Sequence, residues 1–274
     1  MPASPAERPS PLQILWTENP GAARAAQPTT PEEAIAVLNK GSHGFSRLGQ
    51  EPLQLRVDRE AFGYPPEDDP DGVLDQQPFA AVLSCSDARV PIELTLGCAT
   101  NDLFVVRVAG NVPGSDCRGS MHYAASHLPS VRVFAVVGHS RCGANSAAVD
   151  AMLHPERYLE IASDAPLRGI IDSLLAGVHF AERALLHAHG PDAARSPDYR
   201  ARLVTLTTFA NTALTALVLE REIKRPCAFG VYKLATRTVG VRRAAGWMDG
   251  LAMAPKDDAE LIALVTNSAR SLSL

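Results

Sequence analysis

The chain has 274 residues, of which 46% are apolar and 20% charged, with a formal charge of −4. That suits a globular protein with a sizeable core in one or two domains. The mild acidity and the lack of any Lys/Arg block argue against nucleic acid as a main partner. No run of about 18 uninterrupted apolar residues marks a membrane helix.

Residues 1–30 are rich in Pro and Ala and show little periodicity, so they read as an arm, mobile or packed on a partner subunit. Met1-Pro2-Ala3-Ser4-Pro5 has no basic region leading into an apolar stretch, so no signal peptide is expected. Five cysteines are an odd number, too sparse for a disulfide scaffold, which points to a reducing compartment and metal-bound thiolates. A cytoplasmic location is the expectation.

Thr30-Pro31-Glu32-Glu33 reads as a helix start, with Thr at the cap, Pro in the first turn and acids behind it. Ala34 and Leu38 give that helix a buried face, and Gly41 is expected to end it. Residues 51–77 are polar, hold several Pro and Asp, and read mostly as loop. Four apolar runs of buried-strand type follow: 78–83, 103–108, 131–137 and 227–232. Helical stretches are expected at 121–128, 167–189 and 200–224, with a polar loop at 190–200. Strands buried on both faces and separated by helices predict an α/β fold, a mainly parallel sheet of about four to five strands flanked by helices. Residues 31–274 form a single domain on this reading.

Chemistry gathers where two of these strands end. Cys85 follows the first run, and His139 follows the third with Cys142 three residues beyond. In open parallel sheets, ligands bind just past the carboxyl ends of strands. Two Cys and one His are three ligands of the kind a catalytic zinc uses, with its fourth position left for water or substrate. Taken singly, each of these residues is as well explained by packing; together they predict a zinc hydrolase or lyase. Gly138 and Gly143 flank the pair and are expected to allow a tight loop. Asp87 and Arg89 lie two apart just past the first ligand. Such a carboxylate can accept a hydrogen bond from bound water, with the guanidinium keeping it ionised. Cys98, Cys117 and Cys227 have no comparable setting and read as structural.

At these residues the sequence resembles the β-class carbonic anhydrases. Cys85-Ser86-Asp87-Ala88-Arg89-Val90-Pro91 is similar to that family's first zinc motif, and Gly138-His139-Ser140-Arg141-Cys142-Gly143-Ala144 to its second. Asn101 to Asn111 resembles the central strand and its following loop, and Val231 to Thr236 the last strand and turn. The resemblance implies Zn2+ held by Cys85, His139 and Cys142, with Asp87 and Arg89 as an acid–base dyad. It implies a lyase that hydrates carbon dioxide reversibly to bicarbonate and a proton through zinc-bound hydroxide. It further implies a homodimer or higher homo-oligomer with clefts at the subunit interface. Gln76 matches a substrate-binding Gln, Phe104 and Tyr123 match aromatic residues lining the cleft from the partner subunit, and the Gly143 amide would be a further donor. The alternatives are hydrolysis of carbon disulfide or carbonyl sulfide at the same zinc site, and a non-catalytic zinc- or bicarbonate-binding protein. The sequence departs from the family's pattern at Val108, which stands where Asn is frequent, and across 151–200, which is longer than in compact members. Bicarbonate-inhibited members carry Trp three residues before the first Cys, whereas this chain has Val82 there.

Overall fold

The computed structural model describes residues 14–17, 27–47, 55–58 and 75–272. Most of the expected arm therefore lies outside the described residues. Its strand β1 (Ile14–Thr17) pairs in parallel with β2 (Leu55–Asp58), so part of the expected 51–77 loop is a strand.

Between β1 and β2 lies α1 (Pro31–Ser46). The Thr30 hydroxyl accepts from the Glu33 N–H at 3.2 Å and Pro31 opens the helix, as the sequence signals. The helix runs past Gly41 to Ser46. Gly41 is small for a tertiary reason: a Cβ there would overlap the backbone of Leu96 and Gly97.

The main sheet begins with β3 (Ala80–Ser84), then the short α2 (Ile92–Thr95) and β4 (Leu103–Arg107). Next come α3 (Ser115–His127), β5 (Val133–His139), α4 (Gly143–Leu153), α5 (Pro155–Ile161), α6 (Ala165–His189) and α7 (Tyr199–Ile223). The chain ends with β6 (Cys227–Lys233), β7 (Thr238–Arg243), β8 (Gly246–Asp249), β9 (Ala252–Met253) and α8 (Asp258–Arg270). The order is β4-β3-β5-β6-β7-β8, with β9 paired to β6 at Ala228 and Phe229, ahead of the stretch that pairs with β7.

β4, β3, β5 and β6 are mutually parallel and correspond to the four apolar runs. β7, β8 and β9 are antiparallel additions that bring the sheet to seven strands. Side chains alternate between two cores, as the two-residue strand period requires. Ala81, Leu83, Phe134 and Val136 face a large core with Leu174, Leu203 and Leu206. Ala80, Val82, Val133 and Ala135 face a smaller one with Ala34, Leu38, Ile92 and Leu96. Helices thus cover both faces, and α7 is the apolar helix at the centre, with residues from Leu203 to Leu219 in the larger core.

The strand order places the functional groups. β4 lies on one side of β3 and β5 on the other, so the loops after β3 and β5 diverge and leave a crevice at the carboxyl ends of the two strands.

Candidate metal centre

Cys85 is the first residue past β3, His139 is the last of β5, and Cys142 caps the N-terminus of α4. The crevice brings the three together, with ligand atoms all within 4.8 Å of one another. All three are buried. Among the described residues this is the one group of three or more His, Cys, Asp or Glu placed to hold a metal.

The loop carrying His139 and Cys142 is tied to the strand beside it. Ser140 donates its N–H to the Tyr232 carbonyl at 2.8 Å, and its hydroxyl accepts from the Leu234 N–H at 3.0 Å. The turn itself is made by Arg141, with φ +58°, rather than by either flanking glycine. Gly138 is small because a Cβ would collide with the Thr212 hydroxyl of α7. Gly143 has no neighbour a Cβ would touch, and its N–H lies in the first turn of α4, where amides have no intrahelical acceptor.

The Nδ1 of His139 lies 3.1 Å from the Ser140 carbonyl, which directs its proton there and leaves the Nε2 lone pair facing the cluster. Nε2 is buried and has no hydrogen-bond partner. A buried acceptor without a partner costs about 1–3 kcal/mol, and a metal ion supplies the missing partner. The two thiols interact directly. Cys142 is drawn toward thiolate by its hydrogen bond with Cys85, against its burial, with help from the Asn145 and Ala144 amides at the start of α4. Cys85 keeps its proton through that hydrogen bond and through burial, although His139 opposes this. The donor set and the unpaired Nε2 fit zinc, a borderline-soft ion that takes Cys sulfur and His nitrogen.

Asp87 and Arg89 form a two-point pair. Arg89 Nε donates to Oδ1 at 2.9 Å and Nη2 to Oδ2 at 2.7 Å, while the Arg89 N–H donates to Oδ1 at 2.9 Å. These bonds hold the carboxyl far below its usual range, against the opposing effect of burial. Oδ2 lies 3.8 Å from His139 Nε2, so the carboxylate borders the metal position.

Sequence reading underused two residues here. Arg107 donates from Nε to the Cys85 carbonyl at 3.0 Å and from Nη2 to the Asp87 carbonyl at 2.7 Å, pinning the loop that carries ligand and carboxylate. Its signal is a lone cation at the end of an apolar strand. Asn145 is fully buried with its amide beside the Cys142 sulfur. Its place just after the second motif is the only trace in the sequence.

The structure does not bring Gln76, Phe104 or Tyr123 to the cluster of the same subunit. Gln76 precedes β3, at the opposite end of a strand about 16 Å long at ~3.3 Å per residue. Phe104 pairs with Ala81 in the register of β3 and β4, and its ring lies 6.2 Å from that of Tyr123. Tyr123 is exposed and stacks on His127 at 4.8 Å. Cys98, Cys117 and Cys227 are free and take no part in the cluster.

Residues 80–206 match the family model described as carbonic anhydrase. The chain is 42% identical over 77 residues to carbonic anhydrase 2 of Mycobacterium tuberculosis, covering 28% of this chain and 37% of that protein. It is 36% identical over 130 residues to a carbonic anhydrase of Pseudomonas aeruginosa, covering 44% and 52%. The chain thus spans less than two thirds of the length of these curated relatives. One of two tetrameric β-carbonic anhydrases from Sordaria macrospora superposes with a TM-score of 0.43 at 21% identity, over 60% of this chain and 80% of that one. The segment similar to the carbonic anhydrase family thus holds both Cys85 and the His139–Cys142 pair, which converge on one site.

Proposed function

We propose that this protein is a zinc enzyme that interconverts carbon dioxide and bicarbonate. The observation that carries the reading is the buried Cys85–His139–Cys142 cluster with an unpartnered His139 Nε2, bordered by an ionised Asp87. Zinc held there supplies a Lewis acid that lowers the pKa of water to about 7. Asp87 accepts a hydrogen bond from the reacting oxygen and sets its orientation. Arg89 keeps Asp87 charged and fixes its plane, and Arg107 holds the backbone beneath both. The Gly143 N–H, unused within α4, is a donor for a substrate oxygen.

Gln76, Phe104 and Tyr123 act in the cleft of a neighbouring subunit, so the working unit is a homodimer or larger. Support comes from their place away from the cluster of their own chain and from Tyr123, which is exposed beside the half-buried Phe104 of β4, an edge strand. The free thiols are consistent with a cytoplasmic, reducing setting. Stopped-flow carbon dioxide hydration by the zinc-loaded protein tests the reaction, with carbon disulfide and carbonyl sulfide assayed in parallel. Turnover of the sulfur compounds but not of carbon dioxide would reassign the substrate, and zinc binding with no turnover of any of the three would make this a binding protein. Mixing Asp87→Asn and Phe104→Ala chains, each impaired alone, tests the shared cleft. Recovery of activity in the mixture is expected, and none would return all three residues to their own subunit.

A further inference from the structure

Beside the metal centre, on the side toward β6 and β7, lies a cavity of about 630 Å3. Pockets of about 300–1,000 Å3 are the size that holds small organic ligands. Five cations line it, Arg89, Arg141, Arg200, Lys233 and Arg242, and no carboxylate does. They come from distant parts of the chain: the loops after β3 and β5, the first turn of α7, the end of β6 and the end of β7.

Two of the five are already matched. Arg89 is held by Asp87, and Arg200 is bound at two points by Asp150, at 2.6 and 2.7 Å. Asp249 is the acid nearest Lys233 in charge, but it is exposed and accepts the Trp247 indole N–H at 2.7 Å. Among the described residues, Arg141, Lys233 and Arg242 have no carboxylate within ion-pair distance. Lys233 instead rests over the Trp247 ring, its ammonium 3.7 Å from the centroid, an attraction that positions a cation without neutralising it. Arg242 donates to the Ser271 hydroxyl at 3.2 Å. Burial disfavours the charge on both, followed by like charges: Arg202 beside Arg242, and Arg242 beside Lys233. Unpaired like charges gathered in one concavity focus a positive field and attract anions. The remaining wall sets apolar Val204, Phe209 and Val231 beside the hydroxyl side chains of Ser140, Ser146, Thr205 and Thr208.

We propose that this cavity binds a small organic phosphate, with Arg141, Lys233 and Arg242 on the phosphate groups and the carbon skeleton against Val204, Phe209 and Val231. Guanidinium groups match phosphate oxygens two at a time, and an apolar wall adds affinity that an inorganic anion cannot use. The site is distinct from the metal centre and stands whether or not the catalytic reading holds, since Lys233 and Arg242 play no part in it. Arg89 is shared, which places the ligand in contact with the residue that orients Asp87.

The test is calorimetric titration of the zinc-loaded full chain with ADP and with inorganic pyrophosphate, which carry the same number of phosphates. ADP is expected to bind below about 1 mM and tighter than pyrophosphate. Lys233→Gln and Arg242→Gln should each weaken ADP at least tenfold while zinc content stays as in the parent. Lys233 lies at a strand end, so its variant carries the test even if Arg242→Gln fails to fold. No ADP binding, or affinity unchanged in the Lys233 variant, would overturn the site. Equal affinity for the two ligands would overturn its organic half.

Discussion

In the parallel half of the main sheet, β3 and β5 are buried along their whole length and β6 at all but its last residue. In the antiparallel half, β8 has no buried residue and β7 is buried only at its centre. The metal centre draws its ligands from the ends of the buried strands, where packing on both faces leaves a side chain little freedom. The cationic cavity leans on both halves: Arg242 and Trp247 come from the antiparallel hairpin, and Lys233 is the one residue of β6 that is not buried. Rigid strands therefore serve the groups that must meet within ångströms, and the looser hairpin supplies groups that attract at longer range.

The sharpest break in that comparison comes from removing a ligand. Cys142→Ala or His139→Ala should abolish stoichiometric zinc and reduce carbon dioxide hydration by more than about a hundredfold, since even the partners that merely orient metal ligands typically cost about 10- to 100-fold. Metal analysis and stopped-flow rates check it, and a Cys142→Ala protein with full zinc and full activity would remove the metal centre from the account. Asp87→Asn comes next, lowering activity about 10- to 100-fold with zinc near one per chain. Arg89→Gln should act in the same direction but less, because Asp87 loses its orienting partner and the main cause of its lowered pKa while its carboxylate stays in place.

One chemical change made in both halves sharpens the contrast. A Cβ at Gly138 would press on the Thr212 hydroxyl one residue before His139, and a Cβ at Gly240 would press on the Trp247 ring at 2.7 Å and on the Met248 carbonyl. Overpacking of this kind costs about 1–3 kcal/mol, so Gly138→Ala and Gly240→Ala should both lower the unfolding midpoint. Gly138→Ala alone should also weaken zinc, read by competition with a chelator. Equal zinc affinity in the two variants would show that the centre does not depend on how closely β5 packs on α7.

The same contrast explains what could be read from the chain. Runs such as Val133-Phe134-Ala135-Val136-Val137 are apolar throughout because helices cover both faces, so β3 to β6 stand out as continuous segments. The antiparallel strands carry charge and glycine, as in Thr238-Val239-Gly240-Val241-Arg242-Arg243. Their hairpin turns at Ala244-Ala245 before Gly246 at φ +113°, without the Asn-Gly or Asp-Gly pair that usually marks such turns. The Cys85–His139–Cys142 cluster and the Asp87–Arg89 pair were legible as groups because each sits at the end of a readable strand. Gly41, expected as a helix stop, is instead a contact with Leu96 and Gly97, and Arg141 takes the left-handed turn expected of glycine. Such roles belong to tertiary neighbours, which local pattern does not carry. The cationic cavity is of the same kind, with Arg89 and Arg242 153 positions apart.

The smallest expected effect concerns bicarbonate. Val82 is fully buried in β3, between Val105 and Ala135 of the flanking strands, and offers no donor. The Arg107 guanidinium is already committed to the Cys85 and Asp87 carbonyls. An ion bound there would have to displace both bonds and open a packed strand, with nothing in the place of an indole N–H to repay either. Initial rates against bicarbonate should therefore show hyperbolic product inhibition with no sigmoidal component, and Val82→Ala should leave that curve unchanged apart from a loss of stability. A sigmoidal dependence, or bicarbonate found beside Arg107 and Val82 in a crystal, would mean that the loop after β3 is looser than its hydrogen bonds indicate.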